Sequence, residues 1–162
     1  MIARAIPVPK DALLNRYVET PGAYTDCFEV MSPLSISHDE FLRAFYTTWL
    51  FRLERVVLSI ALRRWIRDNE LDMLVRGRAD AFAVWYVEDR RTGEILLRDK
   101  SGRTCSYLAV SGKSGGATRL IFGSTVFYSN RNAPWWLAAV IPAHVIYSKA
   151  LLRAAELKTR KA

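Results

Sequence analysis

The chain is poor in the residues that build metal sites, disulfide frameworks and acid–base centres. Its 162 residues include two cysteines, two histidines and eight glycines. A structural zinc needs three or four His or Cys ligands at usable spacing. His38, His144, Cys27 and Cys105 offer no local pair, so no metal and no cofactor are expected. Both cysteines fall in strand-like runs and read as reduced, buried thiols; a bridge between them would require neighbouring strands. The opening Met1-Ile-Ala-Arg-Ala-Ile-Pro7 has no apolar core of the length a secretory signal uses, so a cytoplasmic protein is expected. The longest apolar window, Ala133 to Tyr147, contains Pro142 and His144 and falls short of the roughly 18–20 residues that span a bilayer.

Catalytic motifs are missing too. Gly112-Lys113-Ser114 ends like a phosphate-binding loop, but Tyr107 stands where that loop needs its first glycine. The segment also precedes a strand, whereas a phosphate loop opens a helix, so it reads as a turn. Phe122-Gly-Ser-Thr125 lacks the second glycine of a nucleophile elbow.

What is abundant is apolar and aromatic surface, and arginine. Hydrophobic residues make up 51% and charged residues 25%, a globular balance. A chain of this length forms one domain burying about two thirds of its unfolded surface, with residues 1–20 as an arm. Net charge is +8, and arginine supplies most of it. Arg52, Arg55, Arg63, Arg64, Arg67, Arg76 and Arg78 cluster in one stretch, with Glu54, Asp68 and Asp72 as partners. They read as a solvated helical face, or as a docking surface for an anionic partner. Single-strand nucleic-acid binders interleave basic and aromatic residues on strands. Here the two sit on separate elements, which argues against nucleic acid.

Periodicity orders the rest. Pro7, Pro9 and Pro21 make the arm irregular, with a short helical turn at Asp11 to Tyr17. Tyr24 to Met31 reads as a strand stopped by Ser32-Pro33. Ser37 and Glu40 have capping-box spacing, and Ile36 and Phe41 that of a hydrophobic staple, so a helix begins at His38, which is expected exposed. Its stripe Leu42, Phe45, Trp49, Leu53, Val56, Ile60 runs on towards Ile66, as one helix or as two meeting near Leu50 to Arg52. Asp68 caps a short helix Asn69 to Val75, ended by Gly77.

Then come four strand-like runs: Ala79–Glu88, Glu94–Asp99, Arg103–Val110 and Ala117–Tyr128. Their turns, Asp89 to Gly93, Lys100 to Gly102 and Ser111 to Gly116, are short enough to demand antiparallel neighbours. Several strands are apolar on both faces. One face meets helices; the other curls on itself, is covered by the arm, or meets a second copy in a homodimer.

The last helix starts after Asn132, with Pro134 in its first turn. It is apolar nearly all round until Lys149, so burial on more than one side is expected, with Trp136, Val140, Ala143, Tyr147, Leu151 and Ala154 on one face. Pro142 should bend it. His144 borders that face, as a satisfied core residue or as a donor to a bound carbonyl.

The order strand, helices, four-strand meander, long C-terminal helix resembles the helix-grip fold of the START-like and birch-pollen-allergen-like superfamily. The pieces Tyr24-Thr-Asp-Cys-Phe28, Ala44-Phe-Tyr-Thr-Thr48, Phe51-Arg-Leu-Glu-Arg55, Phe82-Ala-Val-Trp85, Gly102-Arg-Thr-Cys-Ser106, Phe122-Gly-Ser124 and His144-Val-Ile-Tyr-Ser-Lys149 resemble a family of bacterial proteins of unknown function. That likeness spans roughly residues 22–155 and carries no catalytic assignment. The superfamily's Gly-rich loop between its second and third strands has no clear counterpart. The resemblance implies an α+β fold in which an antiparallel meander curves around the last helix, with one or two helices inserted after the first strand. It also implies an apolar cavity for lipids, polyketides or similar molecules.

Three functions compete on these grounds. A non-enzymatic binder would hold a hydrophobic or amphipathic small molecule between sheet and helix, lined by Trp49, Trp85, Tyr107, His144 and Tyr147. A cyclase- or hydratase-like enzyme would use His144 or Asp26 as acid–base groups there. An interaction module would use the basic helical face or the apolar outer face of the sheet.

Overall fold

In the computed structural model, residues 2–52, 68–112, 116–128 and 135–161 are described. Seven strands form one sheet: β1 (Arg4–Ala5), β2 (Ala23–Ser32), β3 (Ala81–Phe82), β4 (Trp85–Arg91), β5 (Glu94–Asp99), β6 (Thr104–Gly112) and β7 (Thr118–Phe127). Their order is β1-β2-β7-β6-β5-β4-β3, antiparallel throughout. The meander β4 to β7 is the expected one, and β2 returns to pair with β7 along ten residues, Ala23↔Phe127 to Ser32↔Thr118. The helices are α1 (His38–Tyr46), α2 (Asp68–Val75) and the long C-terminal α3 (Trp135–Thr159), with a 3-10 turn at Leu13–Tyr17 in the arm. This is the α+β layout of the helix-grip expectation, with α1 and α3 packed together and α3 lying across β2 and β7.

Alternation along the strands divides the sheet into two apolar faces. Phe28 and Val30 of β2, Leu120 and Phe122 of β7, Leu108 of β6, and Ile95 and Leu97 of β5 face the helices. Cys27, Ile121, Tyr107, Cys105, Ala109 and Leu96 face the other way. That second face is covered by the arm. Ala12, Leu13 and Leu14 lie on it, and β1 adds an edge strand. Glu29, buried on this side, accepts from Arg4 Nε at 2.6 Å and from Arg119, which ties the arm down. Tyr17 and Arg16 continue the clamp through Glu88 and Asp89, and Tyr17 packs edge-on against Phe127 at 5.0 Å. The apolar outer face is therefore an internal contact and not a docking surface.

Local signals are met where they are self-contained. Ser37 accepts from the Glu40 amide and Glu40 reaches back to the Ser37 amide at 2.7 Å, a complete capping box. At the end of α2, Gly77 N–H bonds Leu74 O and Arg78 N–H bonds Met73 O, with Gly77 at φ 65°, the left-handed closure that favours glycine.

Elsewhere the structure differs from expectation. The break in the helical stretch 38–66 falls at Thr47–Thr48, earlier than Leu50. Thr48 Oγ1 donates to Phe45 O at 2.9 Å and accepts from Phe51 N–H at 3.2 Å, so it ends one helix and caps the next, which is helical over 49–52. The remainder of that stripe, and most of the arginine cluster, lie outside the described residues. The run Ala79–Glu88 is two strands, because Ala83 takes φ 55° and β3 folds back on β4 with Phe82 opposite Trp85. An irregularity between Val87 and Asp89 then carries β4 on to Arg91, so the following turn is Thr92-Gly93. His38 is half-buried, with Nε2 3.3 Å from Leu108 O.

The largest departure concerns α3. Among its described side chains the buried ones are Ser148, Leu151, Leu152, Ala155 and Glu156. Val140, Pro142, Ala143 and Ile146 are exposed, and Trp135 is 85% exposed. A helix apolar nearly all round gives no phase for its buried side.

Candidate functional site

On the helix-facing side of β2, the alternation that points Phe28 and Val30 inward also points Asp26 and Tyr24 inward. The register sets Asp26 opposite Ser124 of β7, itself two residues beyond Phe122. From above, α3 supplies His144 and Ser148, four residues apart and so on one face. These polar groups meet where the sheet and the first half of α3 come together.

Their hydrogen bonds are mutually consistent. Ser124 Oγ is 2.7 Å from Asp26 Oδ1 and 2.9 Å from His144 Nε2. A carboxylate only accepts, so Ser124 donates to Asp26 and accepts from His144 Nε2–H. Ser148 Oγ lies 3.4 Å from the same nitrogen. Asp26 Oδ2 is 3.2 Å from Nε2, yet it is buried without a directed hydrogen bond. Burial raises the Tyr24 phenol above its ordinary value, and the neighbouring Asp26 carboxylate raises it further.

This is not a nucleophile triad. In that arrangement the acid holds one ring nitrogen of the histidine while the other takes the serine proton. Here serine and carboxylate share a single nitrogen, and the serine proton is directed at Asp26. What the cluster offers is one unsatisfied buried carboxylate oxygen, an imidazole edge and two hydroxyls, beside an apolar interior.

The five expected lining residues do not converge. His144 joins the polar cluster, and Tyr147, one helical turn from it, is half-buried against the main core. Trp85 is buried 5.8 Å from Phe51, with Nε1 lacking a hydrogen-bond partner among the described residues. Tyr107 lies on the opposite face of the sheet under the arm, bonded to Glu94 at 2.8 Å, because its strand parity is that of Ala109 and not of Leu108. Trp49 is 66% exposed, since the break at Thr47–Thr48 shifts the helical phase before it. Tyr24, Ser124 and Ser148 were missed. The signal was a polar residue at a strand position whose neighbours two residues away are core, as with Ser124 after Leu120 and Phe122.

The interior beside the cluster is aromatic. Phe45 lies tilted at 4.9 Å from Phe122 and edge-on at 5.3 Å to Tyr46, and Tyr46 meets Phe51 at 4.9 Å and Phe82 at 5.3 Å. Three clefts lined by described residues lie away from the cluster. One of about 220 Å³ opens under the arm by Glu94 and Tyr107. Two of about 200 and 300 Å³ flank the far end of α3 by Thr47, Trp49 and Lys158. Among the described residues no His, Cys, Asp and Glu group could hold a metal ion.

No family model matches the chain, and no curated protein matches it. Solved structures similar to it include that of Ara h 8.0201, at 11% identity over 87% of this chain and 100% of that one, with a TM-score of 0.41. An uncharacterized protein from Rhizobium leguminosarum is similar at 11% identity over 86% of this chain and 97% of that one, with a TM-score of 0.36. At this level neither likeness bears on ligand or activity.

Proposed function

We propose that the protein binds a hydrophobic or amphipathic small molecule between the sheet and the first half of α3. The observation that carries this reading is the buried Asp26 carboxylate, whose Oδ2 makes no directed hydrogen bond beside an apolar interior and has the His144 imidazole at 3.2 Å and the Tyr24 phenol as its polar neighbours. A buried acceptor without a well-aligned donor is costly, and a ligand hydroxyl or amine would offset that cost. Apolar sites with a few placed polar groups are the usual form of small-molecule pockets. Asp26, His144 and Ser124 would orient the polar end of the ligand, and Tyr147 would line its apolar part.

Native mass spectrometry of protein purified from cells tests this directly. A bound mass is expected on the wild-type chain and is lost in Asp26→Leu, a variant of the same branching that removes the carboxylate and leaves the site apolar. A wild-type protein free of any bound mass, which also takes up no fatty acid or sterol probe in solution, overturns the reading.

The 3.2 Å approach of Asp26 to His144 favours a second reading, acid–base chemistry on the same ligand. Once the ligand is known, His144→Ala should then keep binding and lose turnover. Full turnover by that variant removes the enzyme reading and leaves the binding one intact.

A further inference from the structure

Five of the ten large hydrophobic side chains exposed among the described residues lie on α3 or against its C-terminal end. They are Trp135 at 85%, Ile146 at 70%, Trp49 at 66%, Val140 at 50% and Leu157 at 41% exposed. Helical spacing sets Trp135, Pro142, Ala143, Ile146, Ala150 and Leu157 along one outward stripe roughly 30 Å long. All are exposed, while Leu151, Leu152 and Ala155 on the opposite side are buried. Trp49 joins the stripe at its far end, beside Ala154 and Leu157.

Charge is distributed along the same helix in one sense only. Its first half has no charged residue before Lys149; from there it carries Lys149, Arg153 and Lys158 against one acid, Glu156, and Arg160 and Lys161 follow directly after its end. That acid is fully buried between Arg153 and Arg160, so it presents no negative charge outward. An exposed apolar stripe that opens on tryptophan and runs to a basic end, with Arg160 and Lys161 exposed, offers a membrane interface an apolar surface and a cationic one in succession along the helix. No helix among the described residues is long and apolar enough to cross a membrane, so lying flat is the geometry open to α3.

We infer that the outward face of α3, with Trp49, docks on an anionic lipid surface. The apolar side chains enter the headgroup boundary and the basic end meets the lipid phosphates. A second copy of the chain is a poorer occupant, because two such faces would set like-charged ends or a cation row against apolar side chains. A net charge of +8 on the whole chain adds to that repulsion. This docking does not depend on whether the interior holds a ligand.

Co-sedimentation with vesicles tests it. The full chain should bind vesicles rich in phosphatidylglycerol and leave pure phosphatidylcholine vesicles, with binding about tenfold weaker at high than at low salt. Ile146→Ser combined with Trp135→Ser should weaken binding to phosphatidylglycerol vesicles by about tenfold or more, as should Lys149→Glu combined with Lys161→Glu. Trp135, Ile146 and Lys161 are exposed and Lys149 is half-buried, so melting temperatures should stay close to the wild type. No vesicle binding overturns the inference. So does binding insensitive to the Trp135 and Ile146 changes, which would be charge attraction alone. Light scattering that shows a dimer dissociated by Ile146→Ser overturns it in favour of self-association.

Discussion

Leu14 of the arm sits directly over Gly123 of β7. A Cβ at Gly123 would collide with Leu14 Cδ2, lie 3.0 Å from Asp26 O and 3.5 Å from Cys27 Sγ. The arm reaches the sheet because this one position has no side chain, and Leu14 is fully buried as a result.

Gly123→Ala should therefore lift the arm or strain the strand, at a cost of about 1–3 kcal/mol in urea unfolding. Leu14→Ala alone should cost about 2–4 kcal/mol for the lost burial and the cavity. The double variant should be less destabilised than the sum, because the cavity accepts the new methyl. Strict additivity would show that the two side chains do not meet.

The thiols report on the same cover. Burial, helped by the Asp26 carboxylate for Cys27 and by Glu88 for Cys105, pushes both up to about 12. The strands that carry them, β2 and β6, flank β7, with Cys27 opposite Gly123 and Cys105 opposite Thr125. Two strand spacings are about 10 Å, beyond disulfide reach. Neither thiol should react with Ellman's reagent in the folded protein, and both should react on unfolding. Leu14→Ala should speed labelling by about tenfold or more through local opening. Prompt labelling of the wild type would contradict an arm packed on the sheet.

The start of α1 rests on the Ser37–Glu40 box. Ser37→Ala should lower stability by about 1 kcal/mol, and Ser37→Gly by only a few tenths, read from urea midpoints. Equal losses would mean that the side-chain bond to the Glu40 amide carries no weight.

His38 should make stability depend on pH. Burial holds its imidazole below the ordinary value, only partly opposed by the Leu108 carbonyl at 3.3 Å and by Asp39. A depressed folded value means that the unfolded chain takes the proton first. Stability is then full above the unfolded value, about 6.5, and is lost as pH falls through the folded value. Wild type should lose more stability than His38→Gln between about pH 8 and pH 5, measured as the difference in urea midpoints. Identical pH profiles would place His38 in solvent.

How much of this was legible beforehand follows from the range of each interaction. The capping box, the Gly77 stop, strand β5 and the antiparallel meander were readable because each is encoded within a few residues. The Thr47–Thr48 break was not, since threonine ends a helix only when its hydroxyl finds backbone partners, as Thr48 does at Phe45 and Phe51. Parity was the signal passed over. Tyr107 and Leu108 are adjacent in sequence and face opposite sides of the sheet, so an aromatic at 107 belonged to the arm and not to the grip.

By itself the sequence determined an α+β chain with two apolar sheet faces, one long apolar C-terminal helix, and no motif for metal or nucleophilic chemistry. Tertiary structure decided which surfaces cover which. It seated the arm on the outer face through Gly123, and it brought Asp26, Ser124 and His144 within 3.2 Å of one another across 118 residues of chain, from Asp26 to His144. It also turned the apolar stripe of α3 outward. The physical reason is common to all three. Local patterns specify which residues are apolar and how they alternate, whereas the partner of each face is settled by competition among segments far apart in sequence.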